Sequence, residues 1–160
     1  HELAPITVEQ WRTGLRARLA LDDTTITDDA LEHLIALGEG HPRATMLLAQ
    51  QAHLMCIEEF AHQIDNAIIV QALVRALAAE RLRHEQQIVR IRAAGRYGER
   101  MVVRIATGSE LYAGLQSGQA SRALNSLRDI GLIERGEGHG QWFLTDPLLR
   151  RYLVQRRLSP

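Results

Sequence analysis

In Gln119-Ala120-Ser121-Arg122-Ala123-Leu124-Asn125-Ser126-Leu127-Arg128-Asp129-Ile130-Gly131-Leu132-Ile133-Glu134-Arg135 the apolar spacing changes part-way along. Ala120, Leu124, Leu127 and Ile130 recur every three or four residues, the period of one helix face, while Gln119, Arg122, Asn125, Ser126 and Asp129 fall toward another. Ser117 is expected to cap this helix, and Gly131 to end it, because glycine tolerates the left-handed conformation in which helices commonly stop. Beyond it, Leu132-Ile133-Glu134-Arg135 and Gln141-Trp142-Phe143-Leu144 flank the run Gly136-Glu137-Gly138-His139-Gly140. Short apolar segments on either side of a glycine-rich turn predict a β-hairpin.

Upstream, Gly98, Gly108, Gly114 and Gly118 punctuate short units. Residues 100–106, with Met101, Val102 and Ile105 apolar, suit a first helix and residues 109–115 a second. Three short helices followed by a hairpin make a winged helix-turn-helix. Downstream, Pro147 can open a closing helix with Leu148, Leu149, Tyr152 and Leu153 facing inward, before the basic end Arg156-Arg157.

The first half reads as helix throughout. Thr7-Val8-Glu9-Gln10 has the form of a capping box, and Trp11, Leu15 and Leu19 then repeat at helical spacing. Thr27-Asp28-Asp29 places a hydroxyl and two carboxylates where the unpaired amides and dipole of a helix start favour them, ahead of Leu31, Leu34, Ile35 and Leu37. Gly38-Glu39-Gly40-His41-Pro42 stops that helix, and the pattern resumes over residues 43–58 and 64–94, with a break near His84. Ile68, Ile69, Leu73, Val74 and Leu77 are expected to form a seam between the two parts rather than a membrane-facing stripe. The expected architecture is mainly α: a helical bundle over residues 1–84, then a winged helix-turn-helix with a small β-hairpin wing over residues 85–160.

With 160 residues, 46% hydrophobic and 24% charged, the chain has the composition of an ordered soluble protein. Its zero net charge conceals an asymmetry. Residues 1–80 hold 5 arginines against 12 acids, and residues 81–160 hold 14 against 7. Only the second half has the sign needed to neutralise phosphates. All 19 basic residues are arginine, which reflects genome composition and carries no functional weight by itself. Residues 67–79 are the longest apolar-rich stretch, too short to span a bilayer and broken by Gln71 and Arg75. No signal peptide opens the chain, and Cys56 is the single cysteine, so a cytoplasmic location and no membrane association are expected. The chain opens on His1 rather than methionine, and the natural protein is expected to extend further at that end.

Gly40-His41-Pro42-Arg43, between two expected helices, resembles the sensor-2 segment of AAA+ ATPases of the origin-recognition and archaeal STAND-like types, as does the stretch over residues 26–52. The recognition-helix segment quoted above is similar to that of winged-helix domains. Thr145-Asp146-Pro147-Leu148-Leu149-Arg150-Arg151-Tyr152-Leu153 resembles the segment following the wing in archaeal-type ATPases. The order of these segments implies a C-terminal lid plus winged helix. The resemblance gives Arg43 the task of reaching a nucleotide's terminal phosphate, for which a guanidinium offers permanent charge and several donors. The plain alternative is a helix-breaking turn with a solvated arginine. No Gly-x-x-x-x-Gly-Lys-Ser/Thr loop occurs, so no hydrolysis is expected from this chain alone. ATP and Mg²⁺ would belong to the missing ATPase core.

Double-stranded DNA is the expected partner. Gln119, Ser121, Arg122, Asn125 and Arg128 can offer donors and acceptors to base edges and phosphates, with Arg135 and His139 on the wing. The competing expectations are a winged helix used for protein contact or autoinhibition, and a free-standing transcription regulator with a helical effector domain. His53 and Cys56, with Glu59 a turn beyond, lack a full ligand set, and no metal is expected.

Overall fold

Thr7 opens the helical structure as its sequence requires. Its hydroxyl accepts from the Gln10 amide while the Gln10 side chain returns to the Thr7 amide, starting α1 (Val8–Ala20). A computed structural model describes residues 6–136, 138 and 140–158. It divides into two compact units, residues 1–79 and 80–160.

In the first unit, β1 (Thr25–Ile26) precedes α2 (Asp28–Gly38), whose first turn is capped by the Thr27 hydroxyl on the Ala30 amide. Then follow α3 (Pro42–Glu58), β2 (Gln63–Ile64) and α4 (Asn66–Ala79). Trp11, Leu15, Leu19, Leu31, Leu34, Leu48, Met55, Ile64 and Ile69 are buried. Truncating one of the fully buried leucines to alanine would cost about 3 kcal/mol. α4 buries Ile68, Ile69, Ala72 and Ala76 and packs on α2 and α3. Of the residues expected in a seam, Ile68 and Ile69 lie in this unit's own core and Val74 is 62% exposed.

Two further expectations change here. The helix expected from residue 64 begins at Asn66, because Ile64 pairs in parallel with Ile26 and the Asp65 carboxylate accepts from the Ile68 amide. The short parallel bridge had no pattern long enough to be read. Continuity over residues 64–94 is interrupted at Glu80 rather than near His84. His84 is fully buried in the second unit, its ring 4.9 Å from that of Tyr152, and Arg83 bonds both Glu80 (3.1 Å) and Asp146 (3.0 Å). The division therefore falls between Ala79 and Glu80, ahead of the boundary expected after His84.

The second unit runs α5 (Arg81–Ala93), α6 (Gly98–Thr107), α7 (Ser117–Asp129), β3 (Ile133–Arg135), β4 (Trp142–Leu144) and α8 (Pro147–Leu158). β3 and β4 are antiparallel, with Ile133 opposite Leu144 and Arg135 opposite Trp142. Ile88, Ile91, Met101, Val102, Leu124, Leu127, Ile133, Leu149 and Leu153 form its core.

The helix expected at residues 109–115 is absent and the segment is a turn. Gly108 stops α6 in the left-handed region (φ 65°), and Arg104 takes the Leu111 and Ala113 carbonyls, both at 2.7 Å, that a helix would pair internally. Nor does Ser117 cap α7. Gln116 holds that position, in an extended conformation and with no side-chain cap bond. Gly131 (φ 72°) follows the helix end as expected. Among the described residues, no helix is long and apolar enough to cross a membrane.

Candidate functional site

Helical spacing sorts the side chains of α7 into two sets. Ala120, Ala123, Leu124 and Leu127 are buried, so Ser121, Arg122, Asn125 and Arg128 are left on the solvent side, all exposed. Gln119 is half-buried. Arg122 donates through Nε to the Gly118 carbonyl at 3.2 Å, which lays its side chain back along the helix. Arg128 lies 3.5 Å from the carboxylate of its neighbour Asp129, and the pair is open to solvent. Arg135 is exposed on β3, a separate element. His139 lies outside the described residues.

A pocket of about 140 Å³ opens beside α7, and its lining includes Gly95, Arg96, Tyr97, Gln119, Arg122 and Ser126. The Arg96 guanidinium sits 5.7 Å from the centre of the Tyr97 ring. Sequence reasoning missed Arg96. It falls in the loop after α5, far in sequence from α7, and only the folded unit brings it to the same pocket as Arg122 and Gln119. The one local signal is the glycine before it: Gly95 takes φ +139°, a value open to few other residues.

In the first unit, Pro42 occupies the first turn of α3, and the Nδ1 of His41 accepts from the Ala44 amide at 3.2 Å as its N-cap. Arg43 therefore sits in the opening turn, exposed. It borders a cleft of about 550 Å³ between α1 and α3, which Arg18, Asp22, Gln50 and His53 also line above Leu15 and Leu19. His53 Nε2 is 3.7 Å from Asp22 Oδ2. Arg18, which sequence reading did not single out, shares this cleft with Arg43 because α1 and α3 face each other across it.

Cys56 is fully buried on α3, and burial pushes its thiol above the usual range, with Glu59 and Asp65 adding to the rise. A thiol so placed is a poor nucleophile at neutral pH. Among the described residues, no group of three or more His, Cys, Asp or Glu side chains is gathered closely enough to hold a metal ion.

No protein-family model and no curated protein matches this chain. Solved structures similar to it are of Thermotoga maritima RuvB. They include the RuvB Holliday junction branch migration motor and two point variants of the same protein. Each is 16% identical with a TM-score of 0.45, covering 99% of this chain and 51% of the other. The chain thus spans about half the length of the structures it matches.

Proposed function

We propose that this chain is the C-terminal regulatory piece of an AAA+/STAND-like ATPase, a nucleotide-sensing lid followed by a winged helix that contacts double-stranded DNA. The observation that carries the DNA-contacting part is the exposed row Ser121, Arg122, Asn125 and Arg128 on α7. Two guanidinium groups and two uncharged polar groups on one helix face match what a major groove offers: phosphates at its rim and donors and acceptors on its floor. The excess of arginine in this half supplies the long-range attraction.

The lid reading is supported by Arg43 in the opening turn of α3, bordering the same cleft as Arg18. Nucleotide phosphates suit two such cations, but nothing in this sequence forms a phosphate loop. ATP and Mg²⁺ would be held by the missing core, and Arg43 would contribute a donor to the terminal phosphate. Movement of the lid with nucleotide state would then carry the winged helix with it. Hydrolysis is not a property of this chain alone in this reading.

The test of the DNA-contacting part is binding to a short fluorescent duplex across a salt series. Wild-type affinity should fall steeply with salt, and Arg122→Ala/Arg128→Ala should bind more weakly, with a salt slope shallower by about 1.8, two phosphates' worth. No measurable binding at low salt would remove the reading. For the lid, Arg43→Ala in the full-length protein should lose nucleotide-dependent activity, and unchanged hydrolysis and nucleotide affinity would sink that part.

Phe143 is 53% exposed on β4, which favours a second reading in which this face meets a protein. Weak, salt-insensitive DNA binding together with a tight complex with the isolated ATPase core would select it.

A further inference from the structure

We propose that the loop carrying Gly95, Arg96 and Tyr97 forms, with α7, a seat for one backbone phosphate of a DNA duplex, Arg96 and Arg122 supplying charge from its two sides. The proposal rests on the DNA-contacting reading and adds to it a residue outside the recognition helix. Its basis is the pocket itself. Arg96 and Arg122 line about 140 Å³ together with Gln119 and Ser126, and no acidic residue is among those that line it. Two like charges facing one small space repel each other unless an anion lies between them.

Both arginines are held in ways that leave donors available. Among the described residues, Arg122 engages only Nε, on the Gly118 carbonyl, so its terminal nitrogens can turn to the pocket. Arg96 rests near the Tyr97 ring, a contact that orients a guanidinium without consuming its N–H groups. Glu99, the acid of the adjacent first turn of α6, is occupied by Arg92 through two bonds of 2.9 and 3.0 Å. Gly95 has open space where a side chain would stand, so nothing on that residue obstructs an approaching strand. A phosphodiester oxygen pair suits this set, being anionic, an acceptor only, and matched to forked donors. Such a contact fixes the register of α7 on the duplex and reads no base.

The experiment compares Arg96→Ala, Arg96→Lys and Arg81→Ala with wild type on the fluorescent duplex over the same salt series. Arg81 is exposed in the first turn of α5, on the order of 20 Å along that helix from the loop, and controls for general loss of charge. Arg96→Ala should weaken binding about tenfold at low salt and make the salt slope shallower by about 0.9. Arg96→Lys should keep the slope, and Arg81→Ala should match wild type. Thermal melts confirm that each variant is folded. An Arg96→Ala slope equal to wild type, with Arg122→Ala/Arg128→Ala still shallower, would overturn the seat and leave the DNA-contacting reading standing. Equal losses in Arg96→Ala and Arg81→Ala would also overturn it, as diffuse charge. Failure of wild type to bind would remove both.

Discussion

A Cβ on Gly38 would run into the Thr45 hydroxyl and lie 3.0 Å from Thr45 Cα, so the end of α2 and the start of α3 meet with no room for a side chain. Gly38→Ala is expected to destabilise the first unit by about 2 kcal/mol, because two packed helices must separate to admit the methyl group. Urea unfolding should show a lower midpoint with an unchanged slope. Gly38→Ala/Thr45→Ala should recover only part of the loss, since the contact with Thr45 Cα remains. A single variant that melts with wild type would show that the contact can relax at no cost.

Asp146 is buried and acts in two directions. Its Oδ1 accepts from the Leu148 and Leu149 amides at 2.9 and 3.2 Å, and its Oδ2 from Arg83 at 3.0 Å. Asp146→Ala removes a helix cap and an ion pair together and should cost about 2 kcal/mol. Asp146→Asn keeps an acceptor for the amides and should cost less. Equal losses in the two variants would assign the effect to the ion pair and deny the cap a role.

Most of the helical skeleton could be read from residues 7 to 58, where caps and apolar spacing agree with each other. Thr7, Thr27 and Pro42 sit where helix ends require them, and the stripe Trp11, Leu15, Leu19 is buried. Reading failed where tertiary contacts override local pattern. Residues 109–115 have helical composition, but an arginine from the preceding helix holds their carbonyls. The parallel pairing of Ile26 with Ile64 joins two-residue strands, too short to leave a period-2 signal. The buried stripe of α7, Ala120, Leu124 and Leu127, followed from its spacing, whereas Arg18 and Arg96 reach their pockets only through folding, and the glycine before Arg96 is the one local sign of either.

Acid should weaken the second unit in a defined way. The Tyr152 hydroxyl donates to Glu85, which holds that carboxyl below its usual range, with Arg156 adding to the effect; Arg92 does the same for Glu99. Depressed carboxylates contribute stability that is present above the ordinary carboxylate range and lost as pH falls through their lowered values. Chemical denaturation over an acid pH series should therefore show stability declining below that range. In Tyr152→Phe part of this dependence should disappear. Superimposable acid limbs in wild type and variant would deny the hydroxyl its role. At the alkaline end, Tyr152 is raised above its usual range chiefly by the same bond, so its contribution is retained below the ordinary phenol value and lost as pH rises through the raised one.

Arg104→Ala should loosen the turn after α6 with little effect on the core. The guanidinium holds the Leu111 and Ala113 carbonyls, while the Leu115 amide returns to Tyr112 at 3.1 Å. Hydrogen exchange is expected to speed up across residues 111–115, with global stability reduced by about 1–2 kcal/mol. Unchanged exchange in this segment would show that glycines alone shape it.

The bonds from Arg83 to Asp146 and from Tyr152 to Glu85 join positions 63 and 67 residues apart. A chain leaves the ribosome from its N-terminal end, so the first unit has all its elements once Ala79 has emerged and can fold while translation continues. The second unit must wait for α8, which brings Leu149 and Leu153 to its core. During that interval Ile88, Ile91 and Met101 lack their last covering layer. Arrest of synthesis before Pro147 would therefore leave the first unit with all its elements and the second with apolar surface open to chaperones.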